Sequence, residues 1–276
     1  MIIMTSQLNR ELQKTLAGIG LSSGDTVYVH SQLFGLGIID NAKNADELCR
    51  IVLDTFKNVI GPDGTIVVPT FTTTIARNGG DFHLSKTSCD TGIFAEFIRK
   101  RKKSTRSLHP INSVAALGPL AGQICEDVAS TNYGFETPFH RMLEVDAKAV
   151  NLGFNHRFSN SWHHHAETTL NLPYLYNKLL DVEVWQGTKK IDRPFYASLR
   201  YLDFDIQNDL KPFDQHLLES GEMIKCKIGR SHVSCISARA YFNAAIRLLK
   251  QNPWAFLKCP PKFRPGEIPW DGATGK

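Results

Sequence analysis

The fold is decided by the stretch Gly24-Asp-Thr-Val-Tyr-Val-His-Ser-Gln-Leu-Phe-Gly-Leu-Gly37. Its apolar, β-branched centre at Thr26–His30 predicts a strand, and Ser31 and two glycines follow where that strand ends. Glycines let backbone N–H groups come close to a ligand, so this turn is a candidate binding segment. The alternative is that His30 is an ordinary hydrogen-bonded histidine of the core.

Helical and strand-like segments alternate outward from this strand as far as residue 155. An apolar helical stripe precedes it, and the segment from Asn44 to Ile60 places its apolar residues on one helical face. The alternation predicts an α/β fold in which helices flank a sheet. No G-x-x-x-x-G-K-[ST] or G-x-G-x-x-G motif is present, which argues against P-loop hydrolases and Rossmann enzymes. The further elements are strands at 65–69, 111–117 and 147–152 and a helix at 91–103.

The character of the sequence changes after about Leu172, where short strand-like pieces replace the regular alternation. We predict one domain, residues 1–258, with a β-rich portion at about 173–230. The proline-rich end, residues 259–276, predicts an extended tail. The predicted elements of this part are strands at 182–185 and 195–204 and helices at 209–220 and 238–250.

Composition limits the classes of protein to consider. The chain has 276 residues, 42% of them hydrophobic, and a formal net charge of +5, which favours anionic partners without requiring nucleic acid. No apolar run approaches the roughly 18 to 20 residues of a membrane span, and the amino terminus is too short for a signal peptide, so we expect a cytoplasmic protein. The six cysteines form no C-x-x-C pair, which argues against a disulfide framework or a zinc ribbon.

Two polar segments follow later elements. Pro69-Thr-Phe-Thr-Thr-Thr74 ends a strand at the sheet edge where α/β folds usually bind ligands, although such a turn also caps its own backbone. Arg106-Ser-Leu-His-Pro110 closes a basic run that begins at Arg99. Its proline fixes a turn that directs Arg106 and His109 to one point, which suits phosphate oxygens. The rest of the basic run is typical of a solvated helix end.

Three consecutive histidines, His163, His164 and His165, open a predicted helix together with Glu167. Successive helical residues are about 100° apart, so the three rings cannot all bind one metal ion. His164 and Glu167 are spaced i and i+3 and share a face, which suits a general base and the carboxylate that orients it. A metal site is less favoured because no H-E-x-x-H motif or second spaced pair appears, and a structural histidine cluster is the third interpretation.

Five ordered blocks of the sequence, spanning residues 8–256, resemble the aminoglycoside 3-N-acetyltransferase family, also called the antibiotic N-acetyltransferase fold. The first block is Gly24–Leu33, and the last is His164-x-Ala-Glu167. The three blocks between them are Gly64-Thr-x-Val-Val-Pro-Thr-Phe-Thr72, Arg106-Ser-x-His-Pro-x-x-Ser-Val-Ala-Ala-Leu-Gly118 and Tyr133-Gly-x-x-Thr-Pro138.

The resemblance implies an α/β/α sandwich with a β-rich acceptor-side portion. It also implies an enzyme that transfers an acyl group directly from acyl-CoA, a co-substrate, to the primary amine of an amino sugar, with no metal and no tightly bound cofactor. His164 is the implied general base and Glu167 its orienting group, with His163 and His165 as alternative bases. The residues implied for coenzyme and thioester binding are Ser31, Gln32, Leu33, Thr70, Phe71, Thr72, Arg106, Ser107, His109 and Ser113.

The acceptor has to be argued from charge, because the segment Val182–Glu222 carries no recognisable motif. Aminoglycosides are polycations and call for acidic sites, whereas this chain is basic overall. Arginines and aromatic residues accompany Asp203, Asp205, Asp209 and Asp214 in this segment, and they suit a pyrophosphate and a stacked base. We therefore expect a nucleotide-linked (dTDP or UDP) amino deoxysugar for surface polysaccharide synthesis.

Two alternatives stay open from the sequence alone. Within the enzyme class, the alternative is 3-N-acetylation of aminoglycosides, an antibiotic-resistance activity. In another class, a non-catalytic protein would bind nucleic acid through Arg99–Arg106. For the enzyme we expect small-molecule partners, no nucleic acid and no membrane, and we leave the oligomeric state open.

Overall fold

A mixed seven-stranded sheet forms the centre of the fold. The computed structural model describes residues 7–36, 42–154, 160–201, 204 and 206–263. Numbered along the chain, the strands are β1 (Thr26–Ser31), β2 (Thr65–Pro69), β3 (Phe82–His83), β4 (Thr105–Arg106), β5 (Val114–Leu117), β6 (Lys148–Leu152), β7 (Leu175–Leu179), β8 (Val184–Gln186), β9 (Lys189–Lys190), β10 (Tyr196–Arg200), β11 (Ile224–Ile228) and β12 (Ser231–Ser237).

The main sheet has the spatial order β11-β12-β6-β1-β2-β5-β4. Strand β1 lies at the centre and is parallel to both β2 and β6. The outer strands are antiparallel to their neighbours on both sides of this parallel core. The parallel pairs need crossover helices, which explains the alternation of helical and strand-like segments in the first half of the sequence.

Helices cover both faces of the sheet. They are α1 (Gln7–Gly18), α2 (Ala45–Ile60), α3 (Thr73–Asn78), α4 (Ile93–Arg99), α5 (Ala121–Cys125), α6 (Pro138–Glu144), α7 (Trp162–Thr169), α8 (Lys211–Glu219) and α9 (Ala238–Gln251). Strand side chains alternate between two apolar clusters: Val27 and Val29 pack with α1, α2 and α4, whereas Tyr28 packs with α5 to α9. The predicted α/β/α sandwich is confirmed. Among the described residues, no helix is long and apolar enough to cross a membrane.

The predicted β-rich portion at 173–230 divides into two parts. Its first part forms two small sheets, β10-β7 and β3-β8-β9, and β3 belongs to the second of them. A separate apolar cluster packs in this part of the fold. Its second part belongs to the main body, because Phe213 and Leu217 of α8 are buried in the same cluster as Tyr28 and because β11 pairs with β12. Of the predicted tail, residues 259–263 form no helix or strand, and 264–276 lie outside the described residues.

The helix observed in the segment 91–103 is shorter than the helix that the sequence pattern predicts. Helix α4 ends at Arg99, and two turns follow, in which the N–H of Arg101 donates to Ile98 O and the N–H of Ser104 donates to Arg101 O. These turns bring β4 back alongside β5. The predicted strand at 111–117 is also shorter in the structure, where β5 begins at Val114.

A tight backbone crossing fixes the carboxyl edge of the sheet. The N–H of Gln32 donates to Leu152 O at 2.8 Å, so the turn after β1 lies directly on the end of β6. A Cβ atom at Gly35 would lie 2.2 Å from Gly153 O, and one at Gly153 (φ +87°) would lie 2.3 Å from Gln32 O. Both positions therefore require glycine, because the obstacle is backbone that cannot rotate away.

We expect Gly153→Ala to lower the free energy of unfolding by about 2 to 4 kcal/mol, because it combines a strained φ with a backbone clash. Chemical denaturation followed by circular dichroism measures the change. Gly18→Ala is the matched control: a Cβ there meets no atom within 4 Å, so the change stays within about 1 kcal/mol. Equal stability of the Gly153→Ala protein and the parent would contradict this account of the crossing.

Candidate active site

Helix α7 is anchored at its first residue. Trp162 is fully buried, its ring meets Tyr28 edge-on at 5.1 Å, and its indole N–H donates to Phe139 O at 3.3 Å. The side-chain oxygen of Asn160 accepts a hydrogen bond from the backbone N–H of Trp162 at 2.9 Å. These contacts fix the register of the helix and hence the direction in which each of the next residues points.

His164 and Glu167 form the pair that the i, i+3 spacing predicts. Nδ1 of His164 lies 2.8 Å from Oε2 of Glu167. The carboxylate is fully buried, whereas 32% of the His164 side chain is exposed. A carboxylate only accepts hydrogen bonds, so Nδ1 is the donor of this pair, and in the neutral ring the lone pair lies on Nε2. In that form the ring can accept a proton at Nε2.

A tyrosine completes the surroundings of the carboxylate. The hydroxyl of Tyr174 donates to Oε1 of Glu167 at 2.9 Å, so the two carboxylate oxygens have different partners. Burial and the neighbouring Glu167 carboxylate raise the pKa of Tyr174 above its usual range, which keeps the phenol protonated as a donor. Sequence reasoning missed Tyr174, because its contact depends on the turn that ends α7 rather than on helical spacing.

The other two histidines are buried. Nδ1 of His165 accepts the backbone N–H of Gly134 at 3.2 Å, and its buried ring lies 5.2 Å from that of Phe242. Burial lowers the pKa of His165 to about 3. The ring of His163 is also buried and lies 3.8 Å from that of His164. Within the described ranges, no three His, Cys, Asp or Glu side chains are grouped to hold a metal ion.

Arg106 is directed into the protein. Its guanidinium donates to the side chains of Thr70 and Ser113 and to the carbonyl oxygens of Leu84, Thr87 and Thr70, at 2.6 to 3.2 Å. The group also lies over the ring of Phe82 at 4.8 Å. Burial lowers the pKa of Arg106 to about 10, so the guanidinium stays charged at neutral pH. The arginine ties β2 and β5 to the segment before α4.

The polar side chains around Arg106 are also hydrogen-bonded to groups of the protein itself. Nδ1 of His109 accepts the backbone N–H groups of Ile111 and Asn112, so Nε2 carries the proton and donates to Tyr196 O at 3.0 Å. Burial lowers the pKa of His109 to about 4, which keeps this imidazole neutral. The side-chain oxygen of Ser107 accepts the N–H of Val114 at 2.9 Å. These side chains form one buried hydrogen-bonded cluster, the buried joint, in which Thr72 donates to Pro110 O. Its members are Arg106, Ser107, His109, Ser113, Thr70 and Thr72.

The remaining predicted binding residues lie at the carboxyl edge of the parallel strands. Ser31 is half-buried, Gln32 exposed and Leu33 buried at the end of β1, and Phe71 follows the neighbouring β2. The ring of Phe71 lies 6.5 Å from that of Phe139, which also contacts the ring of Trp162. The edge where α/β folds bind ligands therefore faces the start of α7.

Part of the positive charge in the basic run is paired with a carboxylate of α4. Arg99 and Lys100 both pair with Glu96, at 2.6 and 3.2 Å, and the guanidinium of Arg101 lies 3.8 Å above the Phe97 ring. Only part of the positive charge in this run is therefore available to an external ligand.

Comparisons with known proteins agree with this architecture. The family model of aminoglycoside 3-N-acetyltransferases matches residues 28–250. The chain is 27% identical over 207 residues to aminoglycoside N(3)-acetyltransferase VII of Streptomyces paromomycinus, covering 66% of this chain and 69% of the relative. It is 23% identical over 272 residues to aminoglycoside N(3)-acetyltransferase IX of Micromonospora chalcea, covering 87% and 92%.

Among solved structures, the complex of AAC-IIIb with CoASH superposes with a TM-score of 0.74 at 21% identity, covering 92% of this chain and 98% of that one. A likeness at that identity shows the shared fold. The family match extends over most of the chain and contains both the sheet and α7. The chain thus belongs to the aminoglycoside 3-N-acetyltransferase family, and the prediction of an N-acyltransferase is confirmed.

Proposed function

We propose that this enzyme transfers the acetyl group of acetyl-CoA to the 3-amino group of an aminoglycoside. The observation that carries the proposal is the partly exposed imidazole of His164, held through Nδ1 by the buried carboxylate of Glu167. The names of two curated relatives support the acceptor, and the CoASH complex of a structural neighbour supports the donor.

The dyad supplies the chemistry that an amine acceptor needs. Nε2 of His164 takes a proton from the neutral acceptor amine as the nitrogen lone pair forms a bond to the thioester carbonyl carbon. Collapse of the tetrahedral intermediate breaks the C–S bond, and the coenzyme thiolate leaves and takes up the proton. Glu167 stabilises the imidazolium that exists between these steps. The acetyl group passes directly between the substrates, so no acyl-enzyme forms.

We place the thioester at the carboxyl edge of β1 and β2. The backbone N–H groups of Gln32, Thr70 and Thr72 already donate to Leu152, Ser113 and Ile111. We therefore propose the N–H groups of Leu33 and Phe71 as donors to the developing oxyanion, a role that contributes several kcal/mol in such sites. In this proposal Arg106, Ser107, His109 and Ser113 build the wall behind the site and do not contact the phosphates.

Net charge led us to expect a nucleotide-linked amino sugar as the acceptor. The comparisons give no support for that acceptor and favour an aminoglycoside. Two of the acidic residues in that argument, Asp203 and Asp205, lie outside the described residues. Within the described part, the acceptor side presents a stacked pair of rings, Tyr176 and Tyr201, with centroids 4.7 Å apart. Such rings suit the apolar face of a sugar or a cationic ligand.

The dyad predicts a specific loss of activity. His164→Ala should lower kcat by at least about 10²-fold with little change in acetyl-CoA affinity, because only the general base is removed. Steady-state kinetics with thiol detection measures kcat, and calorimetry measures the affinity. His165→Gln is the control, because that ring is buried against Gly134, and its activity should stay within a few-fold of the parent. Full activity of His164→Ala would mean that the base is elsewhere.

The buried joint predicts that Arg106 acts on stability. Arg106→Ala should lower the free energy of unfolding by about 3 kcal/mol, because it leaves several buried acceptors without a donor. Coenzyme A binding to the folded variant should stay within about threefold of the parent. Lys100→Ala removes an exposed charge from the same region and should change stability by less than about 1 kcal/mol. A stable Arg106→Ala protein that has lost coenzyme affinity would place Arg106 in the coenzyme site instead.

The acceptor is tested with a panel of amines. We expect acetyl-CoA-dependent release of free thiol with gentamicin or kanamycin, and no release in the His164→Ala variant. The comparison set is dTDP- and UDP-linked amino sugars at the same concentrations. Mass spectrometry identifies the acetylated position. Turnover confined to the nucleotide-linked sugars would overturn the aminoglycoside proposal and restore the expectation from net charge.

A further inference from the structure

We propose that Tyr174 is a positioning residue for the acetyl transfer, whose hydroxyl holds the Glu167 carboxylate in the orientation that presents Nε2 of His164 to the acceptor. This inference rests on the function proposed above. Tyr174 touches neither substrate in this account and acts only through the carboxylate. It extends the dyad to a chain of three side chains, Tyr174, Glu167 and His164.

The carboxylate needs a second donor to have one orientation. The terminal torsion of a glutamate is broad and roughly two-fold, so the bond from His164 to Oε2 alone leaves the plane of the carboxylate free to turn. The bond from Tyr174 to Oε1, at 2.9 Å, removes that freedom. Glu167 is fully buried, so bulk solvent does not replace the donor. Loss of the hydroxyl therefore alters the direction of the bond to Nδ1.

The local fold brings Tyr174 to this place. Asn171 adopts a left-handed conformation (φ +48°) just after α7, and the N–H of Leu172 donates back to Glu167 O at 3.3 Å. This turn reverses the chain within seven residues of Glu167, in the manner of a Schellman cap. The phenol ring thereby reaches the same side of α7 as the carboxylate.

Contacts on both sides hold the tyrosine in position. Its carbonyl oxygen accepts the backbone N–H of Tyr201 at 3.3 Å, which ties it to the segment after β10. Its ring lies 6.0 Å from that of Trp254, which follows α9. A fully buried ring with these neighbours has little room to move, so its hydroxyl is a rigid donor. Rigidity is what a positioning role requires.

The first test is Tyr174→Phe, which removes only the hydroxyl. We expect kcat to fall by about tenfold to 100-fold with KM for both substrates within about twofold of the parent. Tyr28→Phe is the matched control: its ring is also fully buried, and its hydroxyl lies 3.5 Å from Ser161 Oγ. That control should keep parental kcat. Parental kcat in Tyr174→Phe would overturn the inference.

The second test separates positioning from a general structural role. In a Glu167→Ala background, Tyr174→Phe should lower kcat by less than about twofold further, because the group through which it acts is gone. If the two losses multiply instead, Tyr174 acts independently of the carboxylate and the inference fails.

A third readout needs no acceptor substrate. Nitrogen-15 NMR of the histidine rings, with the His164 signal assigned by its loss in His164→Gln, reports the proton on Nδ1. We expect this signal to shift or broaden in Tyr174→Phe and to be unchanged in Tyr28→Phe. An unchanged signal in Tyr174→Phe would overturn the inference whichever amine proves to be the acceptor. Failure of the whole amine panel, by contrast, would overturn the proposed function alone.

Discussion

A carboxylate without contact to solvent has to be held by donors, and the site depends on how the protein meets this requirement for Glu167. Burying an unpaired ion is unfavourable by several kcal/mol, so each carboxylate oxygen has a neutral donor of its own. One donor, Nδ1 of His164, comes from the preceding turn of the same helix, and the other, the hydroxyl of Tyr174, comes from the turn that ends it. The whole unit lies within eleven residues. Its assembly needs α7 to be anchored, which Trp162 achieves in the core, and it needs the turn at Asn171 that returns Tyr174 to the helix.

The same requirement explains why the most strongly polar motif of the sequence faces inward. Arg106 and His109 have the chemistry of a phosphate site, yet their side chains are hydrogen-bonded to backbone groups of four segments, at residues 70, 84–87, 111 and 196. Two of the strands beside this cluster, β3 and β4, are only two residues long and form few regular backbone hydrogen bonds. Buried side chains supply the hydrogen bonds that longer strands would have supplied. The edge of the sheet is thus held in place beside the site that faces α7.

The parts of the fold that follow from local periodicity were predictable from the sequence. Strands β1, β2 and β6 are apolar runs between turns, and α2 and α9 carry regular apolar stripes. The contact of His164 with Glu167 was predictable for the same reason, since three residues on a helix define a distance. The inward direction of the Arg106 side chain was not predictable from the sequence. Its acceptors at Leu84 and Thr87 are about twenty positions away in the chain and approach only through tertiary folding. Tyr174 was missed because its approach depends on the left-handed turn at Asn171.

Net charge alone says little about the acceptor, because it gives how much charge the chain has and not where that charge lies. A net charge of +5 counts Arg99, Lys100 and Arg106 as if each were available to a ligand. In the folded chain Glu96 pairs with the first two, and the third is enclosed by protein acceptors. The potential that a ligand meets depends on the groups that line its path, because exposed charges more than about 10 Å away are largely screened at physiological ionic strength. Net charge by itself therefore does not argue against a polycationic antibiotic as substrate.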